Sequence, residues 1–238
     1  MNEIININHF TFSYDTKIIL NDINIQVFEG EIVGLLGENG AGKTTLLNCI
    51  YGFLGEQKEI KILSSTPCLD NEIIKNNVGF IEDTPVLLDY LTADQYLRFI
   101  CKIENISIDN VQNKIDELIL KFKLKEEYTN KLLKDYSFGM KKKIHFIGNL
   151  IKDNSILLID EPTNGLDITA IIYLKQIIKN LSQKNKTTIL ISSHNLDFIN
   201  AVCNRVLIFN NGRINKDLSL NENINLEQEF LDTKLKGE

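Results

Sequence analysis

The sequence predicts an α/β fold with a mostly parallel core sheet, an N-terminal antiparallel β part and an inserted helical segment. Three patterns carry that prediction. Val78-Gly79-Phe80-Ile81, Ile156-Leu157-Leu158-Ile159, Thr188-Ile189-Leu190-Ile191 and Val206-Leu207-Ile208-Phe209 are continuous apolar runs, as expected of strands covered on both faces. The N-terminal segment alternates instead, with Ile5 and Ile7 against Asn6 and Asn8, then Ile23, Ile25 and Val27 against Asn24 and Gln26. Such alternation belongs to half-buried antiparallel strands. Between residues 84 and 150 the period becomes helical, as in Val111, Ile115, Leu118, Ile119 and Phe122. At 238 residues and 43% apolar content, the chain can bury a large core.

Taken in order, the antiparallel strands lead to Ile32-Val33-Gly34-Leu35-Leu36, a short buried strand, and Thr45-Leu46-Leu47-Asn48-Cys49-Ile50 opens a helix. Between them lies Gly37-Glu38-Asn39-Gly40-Ala41-Gly42-Lys43-Thr44. Strand, Gly-rich loop and helix in this order form a phosphate cradle. The glycines let successive N–H groups turn inward beside the helix N-terminus. Lys43 adds a mobile positive charge for β and γ phosphates, and the Thr44 hydroxyl suits Mg²⁺, which takes few protein ligands. A bound nucleoside triphosphate is the expectation.

Residues 1–83 and 151–220 are expected to form the nucleotide-binding core, with 84–150 as a helical subdomain. Thr92 and Gln95 make a capping box that opens a helix in that segment. Ile171, Leu174, Ile178 and Leu181 predict a further amphipathic helix after Asp167. Residues 221–238 read as a short helix or frayed tail.

The run Ile156 to Ile159 ends in Asp160-Glu161. Carboxylates at the C-terminal end of such a strand lie where ligands bind in parallel sheets. Asp160 is placed to hold Mg²⁺, and Glu161 to orient or deprotonate an attacking water. Lys141-Lys142-Lys143, at the start of a helix containing Ile144, Phe146, Ile147 and Leu150, reads as a solvated face. His9 and His145 stand in no motif and receive no role.

Tyr136-Ser137-Phe138-Gly139-Met140 before that helix, with Asp160-Glu161 after it, resembles the ABC ATPases. Tyr14 upstream, and Asn164-Gly165-Leu166-Asp167 and Ser192-Ser193-His194 downstream, extend the resemblance over nearly the whole chain in the family's order. It implies a single ABC-type domain with a P-loop core, an antiparallel β subdomain and a helical subdomain. It implies that Tyr14 stacks on adenine, while Gly37, Glu38, Asn39, Gly40, Ala41, Gly42, Lys43, Thr44 and Thr45 hold the phosphates. By the same likeness, Ser137 and Gly139 meet the γ phosphate of a second cassette, and Asp167 couples the two sites. Taken alone, Asp167 reads equally well as an N-cap. Lys43, Glu161 and His194 are the implied catalytic residues, and Thr44, Glu82 and Asp160 the implied Mg²⁺ ligands.

Two departures from the family pattern stand out. Phe138 and Met140 replace a glycine and a glutamine of the usual Leu-Ser-Gly-Gly-Gln. Glu82 stands where most members carry glutamine, and in this it resembles the cassettes of bacteriocin and lantibiotic immunity exporters and of bacitracin-type resistance systems. The alternative is that Glu82 is a solvated loop acid. The resemblance thus implies the ATP-hydrolysing subunit of a multi-subunit exporter. Its partners would be membrane-spanning permease subunits, met through Asp83 to Tyr90, and a second cassette, with a homodimer the economical choice.

Composition agrees with that setting. A net charge of −6 with dispersed Lys and Arg gives no reason to expect a dedicated nucleic-acid surface. Cys49, Cys68, Cys101 and Cys203 make no CxxC pair, so neither zinc nor a disulfide framework is expected. No run approaches the ~18 apolar residues of a membrane span. The expected location is therefore the cytoplasm, at the inner face of the membrane through the permease. Two rivals are a soluble ABC ATPase acting on DNA or ribosomes and a P-loop kinase. The first lacks its long coiled coil or second cassette here, and the second has no use for Ser137, Gly139 and His194 together.

Overall fold

The computed structural model describes residues 2–220 and 224–235. Its main sheet has six strands: β3 (Ile32–Leu36), β5 (Val78–Ile81), β6 (Ile156–Asp160), β7 (Thr188–Ser193), β8 (Arg205–Asn210) and β9 (Arg213–Ser219), in the order β5-β6-β7-β3-β8-β9. All neighbours run parallel except β9, which returns antiparallel along β8. The second sheet is antiparallel, with β1 (Glu3–Tyr14) between β2 (Lys17–Phe28) and the short β4 (Ile60–Ile62).

The continuous apolar runs have a simple cause. Val33 and Leu35 of β3, Ile156 and Leu158 of β6, Leu190 of β7, and Leu207 and Phe209 of β8 face one apolar cluster. That cluster contains the antiparallel sheet and helix α1 (Lys43–Tyr51). Ile32, Leu36, Leu157, Ile159, Ile189, Ile191, Val206 and Ile208 face the other cluster, built with the remaining helices. Both faces of each strand are therefore dry, and alternation is lost from the sequence.

The helices on that second face are α3 (Ala93–Ile103), α4 (Ile108–Lys121), α5 (Phe138–Ile151), α6 (Ile168–Asn185) and α7 (Leu196–Val202), with α8 (Leu226–Leu235) near β8. The short α2 (Glu72–Asn77) precedes β5. Thr92 caps α3 in the expected box, since its hydroxyl accepts from the Gln95 N–H at 3.3 Å and its own N–H donates to Gln95 Oε1 at 3.0 Å. Ile115, Leu118 and Ile119 of α4 are buried as their spacing required. Of the expected tail, Leu226–Leu235 is helical, while 221–223 and 236–238 lie outside the described residues.

The expected solvated lysine face on α5 is corrected by the structure. Lys142 has no exposed surface and Lys143 is 8% exposed. The second turn of α5, from Lys142, packs into the interior, and each ammonium is held by an acid: Lys142 by Asp83 at 2.8 Å and Lys143 by Asp167 at 2.6 Å. A run of charges says nothing of its partners, which here lie far away in the chain.

Candidate nucleotide site

Parallel pairing aligns the strand ends. Leu36 of β3 lies opposite Ser193 of β7, and Ser192 opposite Asp160 of β6. The chain leaving β3 therefore emerges beside the acids leaving β6 and the His194 turn leaving β7, at the carboxyl edge where such sheets bind ligands.

Gly40 and Gly42 take φ of 83° and 103°, values that turn the loop back on itself before α1. Helix α1 begins at Lys43, so Lys43 and Thr44 stand in its first turn. Lys43 is nearly buried, and its Nζ donates to the carbonyls of Gly37 at 2.8 Å and Glu38 at 2.9 Å. Burial lowers its pKa, opposed by the charges of Glu161 and Asp160. Both backbone acceptors are groups that an anionic phosphate could replace.

The Thr44 hydroxyl reaches both Asp160 oxygens, at 3.0 and 2.9 Å, and the Ser192 hydroxyl donates to the same carboxylate. Burial still raises the Asp160 pKa. Glu82, half-buried at the end of β5, is also raised, by burial first and by the Asp160 charge second. The Asp160 charge that opposes ionisation of Glu82 is one that a hard divalent cation would relieve. The Thr44 hydroxyl and the Asp160 carboxylate, which both line the cavity, are oxygen groups of the kind that could hold Mg²⁺. Among the described residues no three His, Cys, Asp or Glu gather as a metal cluster.

Glu161 is buried, with its backbone at φ 42°, which non-glycine residues rarely adopt. His194 Nδ1 is 2.9 Å from Oε2, which the Ser193 hydroxyl also approaches at 3.4 Å. A carboxylate only accepts, so Nδ1 is the donor in this contact. Lys43 Nζ lies 3.7 Å from Oε1, close enough for charge attraction and too far for a hydrogen bond. Oε1 is thus a buried oxygen without a donor.

Asn39, Gly40, Gly42, Lys43, Thr44, Thr45, Asp160, Glu161 and His194 line one cavity of about 520 Å³. Lys17, Ile19, Asp83 and Asn164 complete the lining, and sequence reading gave none of them this place. Asn164 stands in the quoted Asn164-Gly165-Leu166-Asp167 stretch, while nothing local marks Lys17, Ile19 or Asp83. Asp83, at the head of the expected docking segment, keeps a partly exposed side chain whose Oδ1 accepts from Lys142 at 2.8 Å and from the Asn164 amide at 3.1 Å.

Tyr14, Glu82, Ser137, Gly139 and Asp167 lie outside this lining. Tyr14 is exposed at the β1–β2 turn, edge-on to Phe12 at 5.0 Å. Ser137 is exposed and caps α5, accepting from the Met140 N–H at 3.3 Å. Gly139 meets a close approach, for a Cβ there would stand 2.2 Å from the Gly165 carbonyl. Asp167 caps α6 through the Ala170 N–H at 2.9 Å, and its bond to Lys143, helped by this capping bond, lowers its pKa. Glu38 pairs with Lys234 of α8, and Ala41 is the buried side chain within the loop.

His145, given no role by the sequence, supports the turn after β5. Its Nε2 accepts from the Glu82 N–H at 3.4 Å. Burial, helped by the Lys142 charge, depresses its pKa from 6.5 to about 4.

A phosphate-binding loop, a Thr–Asp pair and a buried Glu161 carboxylate bonded to the half-exposed His194, all on a parallel sheet, define a nucleotide-hydrolysing α/β protein. The model of the ABC transporter family matches residues 20–164. The chain is 31% identical to the bacitracin transport ATP-binding protein BcrA of Bacillus licheniformis over 236 residues, 99% of this chain and 76% of that protein. It is also 31% identical to the ABC transporter ATP-binding protein NatA of Bacillus subtilis over 197 residues, 82% of this chain and 79% of that protein. A solved ATP-binding subunit of an ABC transporter superposes with a TM-score of 0.87 at 26% identity, over 97% of this chain and 99% of that one. A dimeric ATP-binding cassette bound to ADP and phosphate shares the fold, with a TM-score of 0.77 at 21% identity over 91% of this chain and 99% of that one. The chain belongs to the ABC transporter family and is one of its ATPase subunits.

The His145 environment sets a pH dependence. Unfolded, the ring protonates near 6.5; folded, it does so only near 4. The unfolded chain binds the proton first, so stability falls as pH drops through this window. The urea midpoint of the wild type should fall between these pH values, and His145→Gln should remove up to about one proton from the slope. Identical slopes would show that His145 is not the titrating group.

Proposed function

We propose that this chain is the ATP-driven subunit of an exporter that protects the cell from a peptide antibiotic of the bacitracin, lantibiotic or bacteriocin kind. The observation that carries the ATPase mechanism is the buried Glu161 carboxylate. One of its oxygens is taken by His194, and the other faces the Lys43 side of the cavity without a donor. Such an oxygen is suited to accept from a water aligned with a γ phosphate.

In this reading ATP enters along the Gly37–Thr45 loop, and Lys43 leaves the Gly37 and Glu38 carbonyls for the β and γ phosphates. Mg²⁺, held by Thr44, Asp160 and Glu82, would neutralise phosphate charge. Glu161 orients the water, His194 fixes the Glu161 carboxylate, and Tyr14 stacks on the base. Ser137 and Gly139 act on the γ phosphate of a second copy, with Asp167 beside the shared boundary. The exposure of Ser137, of Phe138 at 44% and of Ile168 at 79% supports such a paired face.

Transport needs other subunits, since no helix among the described residues is long and apolar enough to cross a membrane. The loop after Asp83 supports a docking role for residues 84–90, because Val86 and Tyr90 are 80% and 81% exposed. The antibiotic cargo is supported by the likeness to BcrA along almost all of this chain, and by a carboxylate at Glu82.

Glu161→Gln should lower ATP turnover by at least ~100-fold while keeping nucleotide affinity. It should also shift the chain to an ATP-dependent dimer in size-exclusion chromatography. Turnover at the wild-type rate would remove Glu161 from its role. For cargo, disrupting the gene should lower the inhibitory concentration of a bacitracin-type peptide or lantibiotic by several-fold, and unchanged tolerance across those classes would refute the proposed substrate.

A further inference from the structure

Lys142 is the most completely buried charged side chain among the described residues, with no exposed surface. An ammonium in that position is costly unless strongly bonded. Its Nζ donates to the backbone carbonyl of Glu161 at 2.6 Å and to Asp83 Oδ1 at 2.8 Å, and lies 5.7 Å from the centre of the Phe138 ring. One cation therefore joins the turn after β5, the turn after β6 and the residue following Ser137.

The Glu161 bond falls where the backbone most needs support. Glu161 holds φ at 42°, and its N–H is fixed from the other side by the Ser192 carbonyl at 3.1 Å. A residue held in this sparsely populated region persists only when its surroundings determine it. Its side-chain direction follows from its backbone, so the grip on the carbonyl also sets where the carboxylate points. Asp83 closes the ring, because the oxygen that meets Lys142 also accepts from Asn164 at 3.1 Å, three residues beyond Glu161.

We propose that Lys142 is a positioning residue for hydrolysis: its buried ammonium holds the Glu161 backbone in its left-handed conformation and ties it to Asp83, so that the turn after β5 and the hydrolytic carboxylate move together. This rests on the reading of Glu161 as the group that orients water. Lys142 does not line the nucleotide cavity, so its loss should leave ATP binding nearly untouched and slow the chemical step.

The test compares steady-state Mg²⁺-ATPase kinetics of the purified chain with those of Lys142→Met, Lys142→Gln and Glu161→Gln. Misplacing a catalytic group by about 1 Å can cost ~100-fold, so Lys142→Met should lose at least ~10-fold in kcat with KM within about twofold. Lys142→Gln restores a donor of similar reach and should stay within about fivefold of wild type, still measurably slow because one amide cannot replace the ion pair. Wild-type kcat in Lys142→Met beside an inactive Glu161→Gln would overturn this inference alone. A fully active Glu161→Gln would overturn the underlying reading, and this inference with it. If Lys142→Met does not fold, Lys142→Gln decides: reduced kcat at unchanged KM supports the inference, and wild-type kcat overturns it.

Discussion

The parallel register of β3, β7 and β6 is the constraint on which the rest of the molecule depends. It sets Leu36 against Ser193 and Ser192 against Asp160, so three chain segments leave the sheet at one level. A slip of one residue would exchange the faces of every side chain in a strand. Here it would drive Leu158 and Leu157 into each other's clusters and carry Asp160 away from Thr44. Because both faces of these strands are packed, apolar burial on each side fixes the register, and the register in turn fixes the chemistry.

What gathers at that edge is a set of charges with little access to water. Lys43, Asp160, Glu161 and Lys142 are each at most 7% exposed. Their compensation is mutual: Thr44 and Ser192 on Asp160, His194 on Glu161, backbone carbonyls under both lysines. The arrangement is incomplete on the cavity side. Lys43 bonds to two neutral carbonyls although anions suit it better, and Glu161 Oε1 meets no donor. An anionic ligand with its water would complete what the protein alone leaves unfinished. That is electrostatic preorganisation in the ordinary sense, donors and acceptors fixed before the reaction needs them.

The fold was legible in the sequence where burial writes a pattern. The runs at 78–81, 156–159, 188–191 and 206–209 are strands because two dry faces demand apolar residues at successive positions. The loop from Gly37 to Thr44 was legible because its chemistry is contained in consecutive residues. The edge strand β9 was not: its burial alternates and its sequence, Arg213-Ile214-Asn215-Lys216-Asp217-Leu218-Ser219, is mostly polar. Lys142, Asp83 and His145 were also missed, for a different reason. Each acquires its place from a partner brought in by folding: Asp83 with Lys142, and His145 with the Glu82 backbone. Local charge at 141–143 resembles a solvated helix, and only the packing of α5 reveals that two of the three lysines are interior.

Whether the nucleotide completes the charges at the sheet edge is most directly tested by a crystal structure of the chain with Mg²⁺ and a non-hydrolysable ATP analogue. The account predicts phosphates on the N–H groups of the Gly37–Thr45 loop, Lys43 Nζ withdrawn from the Gly37 and Glu38 carbonyls onto phosphate, and a water within hydrogen-bond reach of Glu161 Oε1. Nucleotide bound elsewhere, or bound in the loop with Lys43 still on its two carbonyls and no water at Oε1, would contradict it.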